Sequence, residues 1–175
     1  MKTKFCVLAV VALVIWGVKR HYADARADDL WWILTPTARL VGIMTGTAFV
    51  AVPSEGYFSD ERLFLIEKSC AGINFIVAAF GMIAFTLFHR VRSGVSGVCV
   101  LGISLLASYG AAVLVNAARI TIAMWLADHP IALSTLTPAD VHRFEGIAVY
   151  FAGLVLLYEL VKRLERSAML AESRP

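Results

Sequence analysis

The stretch from Gly97 to Leu126, GVCVLGISLLASYGAAVLVNAARITIAMWL, decides the fold class, because it carries a single charge, Arg119, in an otherwise apolar run. As a helix rising about 1.5 Å per residue it would extend about 45 Å, past the roughly 30 Å hydrocarbon core of a bilayer. The rest of the chain agrees: 59% of its 175 residues are hydrophobic and only 17% charged, with a mean hydropathy of +0.75. That balance excludes an ordinary soluble domain and indicates an integral membrane protein.

Working outward, four further apolar stretches are expected to span. Phe5 to Val18 ends at Lys19 and Arg20, and a second span lies within Leu30 to Val52, interrupted by Pro36 and Arg39. Gly72 to Phe88 is closed by His89, Arg90 and Arg92, and Gly146 to Val161 is followed by Lys162, Arg163 and Arg166. The expectation is an all-α, polytopic transmembrane helical bundle of about five spans. It forms a single integral membrane domain over residues 1–175, since no repeat, low-complexity tract or long linker divides it. Lys2 and Lys4 resemble the start of a signal peptide, and Ala23-Asp24-Ala25 loosely resembles a cleavage site. Lys19, Arg20 and His21 intervene where a signal peptide stays uncharged, which favours an uncleaved anchor.

Lys and Arg near span ends are retained on the cytoplasmic side. Arg90, Arg92 and the Lys162 to Arg166 tail therefore mark that side, and threading back puts the Lys19 to Arg26 loop there too, leaving Lys2 and Lys4 outside against the rule. The two polar loops, Pro53 to Ala71 and Ala127 to Glu145, then face outward and bring Cys70 and His142 to one face. The net charge of +3 is a topology signal, and no basic patch with interleaved aromatics points to nucleic acid.

Three cysteines cannot form a closed disulfide set, and no CxxC or Cys/His spacing marks a metal site. Cys6 and Cys99 lie in apolar runs, where a thiol behaves as a small hydrophobe. Cys70 differs, in Glu67-Lys-Ser-Cys-Ala-Gly-Ile-Asn-Phe75. It precedes the third helix, where unpaired N–H groups and the helix dipole favour a thiolate, and Lys68 adds positive charge nearby. Arg119 is the second anomaly. A guanidinium inside an apolar span costs about 2.5–3.5 kcal/mol on insertion scales and is seldom left unpaired. Asn116 lies on the same helix face one turn earlier, placed to hydrogen-bond across a bundle. The third is Asp140-Val-His142-Arg143-Phe-Glu145-Gly146, where His142 can move a proton near neutral pH or, as imidazolium, donate to an oxyanion. His129 competes for that role. Glu67 and Glu145 are either orienting groups for Arg119 or His142 or solvated loop charges, and Gly72 either admits a close-lying substrate or simply begins a helix.

In their order and their positions at span edges, EKSCAGINF, NAARI and HRFEGIAVYF together resemble the motifs of the exosortase/archaeosortase family. The resemblance covers about Glu67 to Tyr158, and the chain's small size is similar to that of exosortase K. What it implies is a polytopic cysteine transpeptidase at the outer face of the bacterial inner membrane, needing no cofactor and no metal. Its substrates would be proteins with a C-terminal sorting signal of short motif, hydrophobic helix and basic tail, cleaved and passed to an envelope lipid or polysaccharide acceptor. By position, Cys70 would be the nucleophile, with Arg119 and His142 the other two active-site residues. A guanidinium hardly ever gives up its proton. Arg119 is therefore expected to act as an electrostatic clamp and His142 as the proton shuttle, with the reverse use of His142, as oxyanion donor, left open. Two other classes remain: a small transporter subunit with a polar path around Arg119 and Asn116, and a non-catalytic membrane assembly factor.

Overall fold

A computed structural model describes residues 2–129 and 137–172. The chain is a helical bundle with one small sheet. Its long elements are α1 (Lys2–Asp24), α2 (Trp31–Thr45), α3 (Ile73–Thr86), α4 (Gly94–Asp128) and α5 (Pro138–Glu172). Between α2 and α3 lie β1 (Val50–Val52), β2 (Gly56–Ser59) and β3 (Phe64–Ile66), followed by a 3-10 turn at Lys68–Ala71.

Three helical stretches are long and apolar enough to cross a membrane: Lys68–Arg90, Gly94–Asp128 and Asp140–Leu170. The spans expected within 5–18 and 30–52 are not among them. α2 has 15 residues, about 22 Å of helix, which falls short of the hydrocarbon thickness. The chain then leaves the helix at Gly46 and enters the sheet. α1 is peripheral: only Val7 is buried along it, seated so closely on α4 that a Cβ at Gly97 would lie 2.9 Å from a Val7 methyl carbon.

α4 is apolar all round, so its buried face is chosen by residue size. Gly97, Val100, Ser104, Ser108, Ala112 and Asn116 are buried at steps of three or four, a row of mostly small side chains that lets neighbouring helices approach. Ser104 and Ser108 return their hydroxyls to the carbonyls of Val100 and Leu105, at 2.7 and 3.0 Å, so neither needs a partner across the interface. α5 approaches through Gly153, where an added Cβ would sit 2.8 Å from the Val115 methyls. Cys6 and Cys99, expected as packing thiols, are exposed on their helices.

The segment expected as a polar outer loop, residues 53–71, instead contains β2 and β3, which join β1 in an antiparallel meander, and the 3-10 turn that follows them. Pro53 and Ser54 occupy the centre of the first turn, closed by Glu55 N–H donating to the Val52 carbonyl at 3.1 Å, with Ser54 at φ 66°. That is the positive-φ third position of a type II turn, which ordinarily selects Gly or Asn. The Tyr57 and Thr35 hydroxyls are hydrogen-bonded, fastening β2 to α2, and Arg62 pairs with Asp128 at the end of α4. The sheet therefore sits at the end of the bundle where α3 begins and α4 ends. The opposite end is marked by Glu165, paired with His89 and Arg90 at 3.2 and 3.3 Å.

Gly56 holds the sheet's register. It has φ 128°, and a Cβ there would lie 2.2 Å from the Ile66 carbonyl oxygen on β3. Gly56→Ala combines that overlap with a backbone conformation closed to L-residues, and is expected to lower stability by at least about 1 kcal/mol. Thermal unfolding of the detergent-solubilised protein measures it, and an unchanged midpoint would contradict the close approach of β2 and β3.

Candidate active site

Cys70 stands in the 3-10 turn Lys68–Ala71, and Gly72 at φ 64° turns the backbone from it into α3. The Cys70 N–H donates to the Glu67 carbonyl at 2.9 Å, leaving its own carbonyl pointed at α4. A carbonyl only accepts, so the Asn116 amide presents Nδ2 to it. Asn116 Oδ1 is then left as acceptor for the Tyr150 hydroxyl at 2.8 Å. With its proton so used, the Tyr150 oxygen accepts from Arg119 Nη1 at 3.2 Å. Four residues from three elements thus form one polar chain with a single direction, from Arg119 through Tyr150 and Asn116 to the Cys70 carbonyl. Gly72 makes room for it: a Cβ there would lie 3.3 Å from both Asn116 Cγ and the Tyr150 hydroxyl oxygen.

Arg119 gathers the remaining groups. Its Nη2 lies 3.3 Å from His142 Nε2. A guanidinium has no acceptor, so in this contact Nε2 accepts, which puts the proton of the neutral ring on Nδ1. Nδ1 faces Glu145, 3.9 Å from Oε2, and Arg119 Nε is also 3.9 Å from that oxygen. The Glu145 side chain is 6% exposed and the Arg119 side chain 14%, whereas His142 is 55% exposed. His142 is the member of the cluster most open to solvent. Arg119 Nε and both Glu145 carboxylate oxygens are buried without a hydrogen-bond partner among the described residues. The Arg119 guanidinium also lies over the Tyr150 ring, 5.2 Å from its centroid. An interhelical hydrogen bond contributes about 0.6 kcal/mol on average in a membrane bundle. Two of them do not offset about 2.5–3.5 kcal/mol for a buried guanidinium, so the Glu145 charge and the Tyr150 ring are needed as well.

Three expectations are corrected in detail. Glu145 is not a solvated loop charge: it is buried within α5, as the partner of Arg119 and His142. His142 belongs to the first turns of α5 rather than to a loop. His129 stacks on Trp125, with ring centroids 4.9 Å apart, and its Nδ1 lies 3.0 Å from the Trp125 carbonyl oxygen, whereas the histidine paired with Arg119 is His142. Lys68 directs its ammonium to the end of α1, 3.3 Å from the Ala23 carbonyl and 4.9 Å from the Tyr22 ring centroid. Glu67 accepts the Ser69 hydroxyl at 2.6 Å, and Ser69 Oγ lies 3.9 Å from Cys70 Sγ. Because the Ser69 proton is spent on Glu67, the hydroxyl oxygen faces the thiol as an acceptor. Asn116 and Arg119, paired on one helix face in the sequence, do act together, through Tyr150.

Tyr150 and Tyr22 were not singled out from the sequence. Tyr150 sits eight residues after His142 on the same helix, a spacing that returns it to the same face of α5. Tyr22 reaches the site from α1: burial pushes its hydroxyl above the usual tyrosine range, and negative charge on Cys70 and Glu67 pushes it the same way. A cleft of about 380 Å³ opens beside this turn, lined among others by Arg26, Ser54, Glu55, Leu65, Glu67 and Lys68. No group of His, Cys, Asp and Glu suited to a metal ion occurs among the described residues. No family model, curated protein or solved structure matches the chain.

Arg119 lies against α5 because residue 146 lacks a side chain. A Cβ at Gly146 would be 2.8 Å from Arg119 Nε and 3.4 Å from Cζ and Nη2. Gly146→Ala is expected to displace the guanidinium and lower stability by about 1–3 kcal/mol, the usual range for overpacking. In an Arg119→Ala background the same change should cost much less, since contacting residues are non-additive. Equal losses in both backgrounds would show that Gly146 matters for some other reason.

Proposed function

We propose that this chain is a membrane-embedded cysteine peptidase or transpeptidase of the exosortase kind, acting on proteins with a C-terminal sorting signal at the outer face of a bacterial inner membrane. The observation that carries this reading is the polar chain that joins the Cys70 turn to Arg119 and, through Arg119, to His142. The three segments whose motifs resemble the family are far apart in sequence, and a plain structural bundle has no need to bring a thiol turn, a buried guanidinium and a histidine to one end.

In the proposed reaction His142 Nε2 takes the Cys70 proton, and the thiolate attacks the carbonyl carbon of the scissile peptide. The new C–S bond leaves a tetrahedral oxyanion, and Arg119 provides the fixed positive charge that stabilises it. Collapse breaks the C–N bond, and the imidazolium returns its proton to the leaving amine. The acyl-thioester is then cleaved by an acceptor nucleophile or water, whose proton passes to His142 and back to the thiol. Arg119 never gives up a proton, in keeping with its chemistry. The neutral, Nδ1-protonated state of His142 supports the base role over that of an oxyanion donor, because Nε2 then carries a lone pair, which has to turn from Arg119 Nη2 to the thiol before it takes the proton. Glu145 beside Nδ1 would hold that tautomer and steady the imidazolium as it forms.

The test is co-expression with an envelope protein from the same genome that ends in a short motif, an apolar helix and a basic tail. Processing is read as loss of the tail by mass. Cys70→Ala is expected to abolish it, and Arg119→Ala and His142→Ala to slow it by about 10²–10⁴-fold at equal membrane abundance. Full processing by Cys70→Ala would sink the peptidase reading and favour a transporter subunit or an assembly factor.

A further inference from the structure

We infer that Tyr150 is a positioning residue: its hydroxyl locks the Asn116 amide against the Cys70 carbonyl and so fixes the turn that presents the thiol. Asn116 is 1% exposed, and its amide has two orientations of equal shape. Only one of them donates to the Cys70 carbonyl. The choice falls to the group at the other side of the amide, and there the Tyr150 hydroxyl donates to Oδ1 at 2.8 Å. Tyr150 has its proton free for this bond because Arg119 Nη1, which can only donate, is met by its oxygen as acceptor at 3.2 Å. The donor-only Arg119 at one end and the acceptor-only Cys70 carbonyl at the other together set the direction of the bonds between them.

The turn depends on that last bond. The 3-10 turn at Lys68–Ala71 has four residues, and Gly72 leaves it in the left-handed region. Inside the turn, the Cys70 N–H bond to Glu67 is one tie, and the Asn116 bond is the tie that anchors it to α4. The Tyr150 ring itself is held independently, 5.5 Å from the Phe75 ring centroid. Removing the hydroxyl alone leaves this ring contact in place.

As a contribution to catalysis this inference rests on the peptidase reading; as a statement about the Cys70 turn it does not. The experiment therefore reads the thiol directly, with no substrate. In a Cys6→Ser, Cys99→Ser background, a polar maleimide labels Cys70 in the detergent-solubilised full chain. Tyr150→Phe is compared with Asn116→Asp, which keeps an acceptor for Tyr150 but has no N–H for the Cys70 carbonyl. Both are expected to free the turn and speed labelling of the half-buried thiol several-fold. The double variant should label no faster than either single one, because both break the same chain. The thermal midpoint, a measure of general loosening, should move little in Tyr150→Phe.

A labelling rate in Tyr150→Phe equal to that of the parent would overturn the inference, as would additive effects in the double variant. Should Tyr150→Phe fail to fold, Asn116→Asp carries the test alone, and an unchanged rate there overturns it equally. If labelling responds as expected while no sorting-signal protein is processed, the positioning role stands and the peptidase reading fails.

Discussion

A guanidinium set into an apolar helix has to be held by groups from elsewhere, and the arrangement of this protein's polar end follows from how Arg119 is held. It lies nine residues, about 14 Å at 1.5 Å per residue, before the end of α4 at Asp128. α4 itself supplies only Asn116, reached indirectly. The other partners, His142, Glu145 and Tyr150, all come from α5. The pairing of these two helices is thus specified by chemistry at one end and by shape along their length, where Gly146 and Gly153 admit Arg119 and Val115. Apolar packing alone specifies register weakly when every neighbour, lipid included, is equally apolar.

The direction of the hydrogen bonds turns this structural requirement into a chemical one. A group that can only donate sits at one end of the chain, and a carbonyl that can only accept sits at the other. Between them a hydroxyl and an amide have no freedom left. The same logic reaches His142 by the other arm of the guanidinium, which fixes the ring's tautomer. Glu145 balances the charge without forming a close bond, at 3.9 Å from both Arg119 and His142. A tighter Arg–Glu pair would consume the guanidinium, and the observed spacing leaves Arg119 Nε without a partner among the described residues. Polar groups so deeply placed and so incompletely satisfied are costly, and such costs concentrate where a protein binds or reacts.

The sheet shows where sequence reading falls short. β1, β2 and β3 have three or four residues each, too few for alternation to stand out from a polar, acidic background. The turn signals were present, in Pro53-Ser54-Glu55-Gly56 between Val50-Ala-Val52 and Tyr57-Phe58. What hid them was the preceding apolar stretch, which reads as part of a span although its helix ends at Thr45. Hydropathy averages over a window and does not register where a chain turns.

The sequence by itself determined that this is a helical membrane-type bundle, since a run such as Gly97 to Leu126 has few other ways to satisfy its backbone and bury its side chains. It also singled out Cys70, Arg119 and His142, because a thiol at a helix start, a charge in an apolar span and a histidine at a span edge are each anomalous in their local setting. Only the tertiary structure decided which groups meet. Glu145 looked like loop charge, and Tyr150 like one more aromatic in a membrane helix. Their roles depend on the rotation of α5 about its own axis relative to α4. Helix periodicity states which residues share a face, and the close approach at Gly146 and Gly153 settles which face turns toward Arg119.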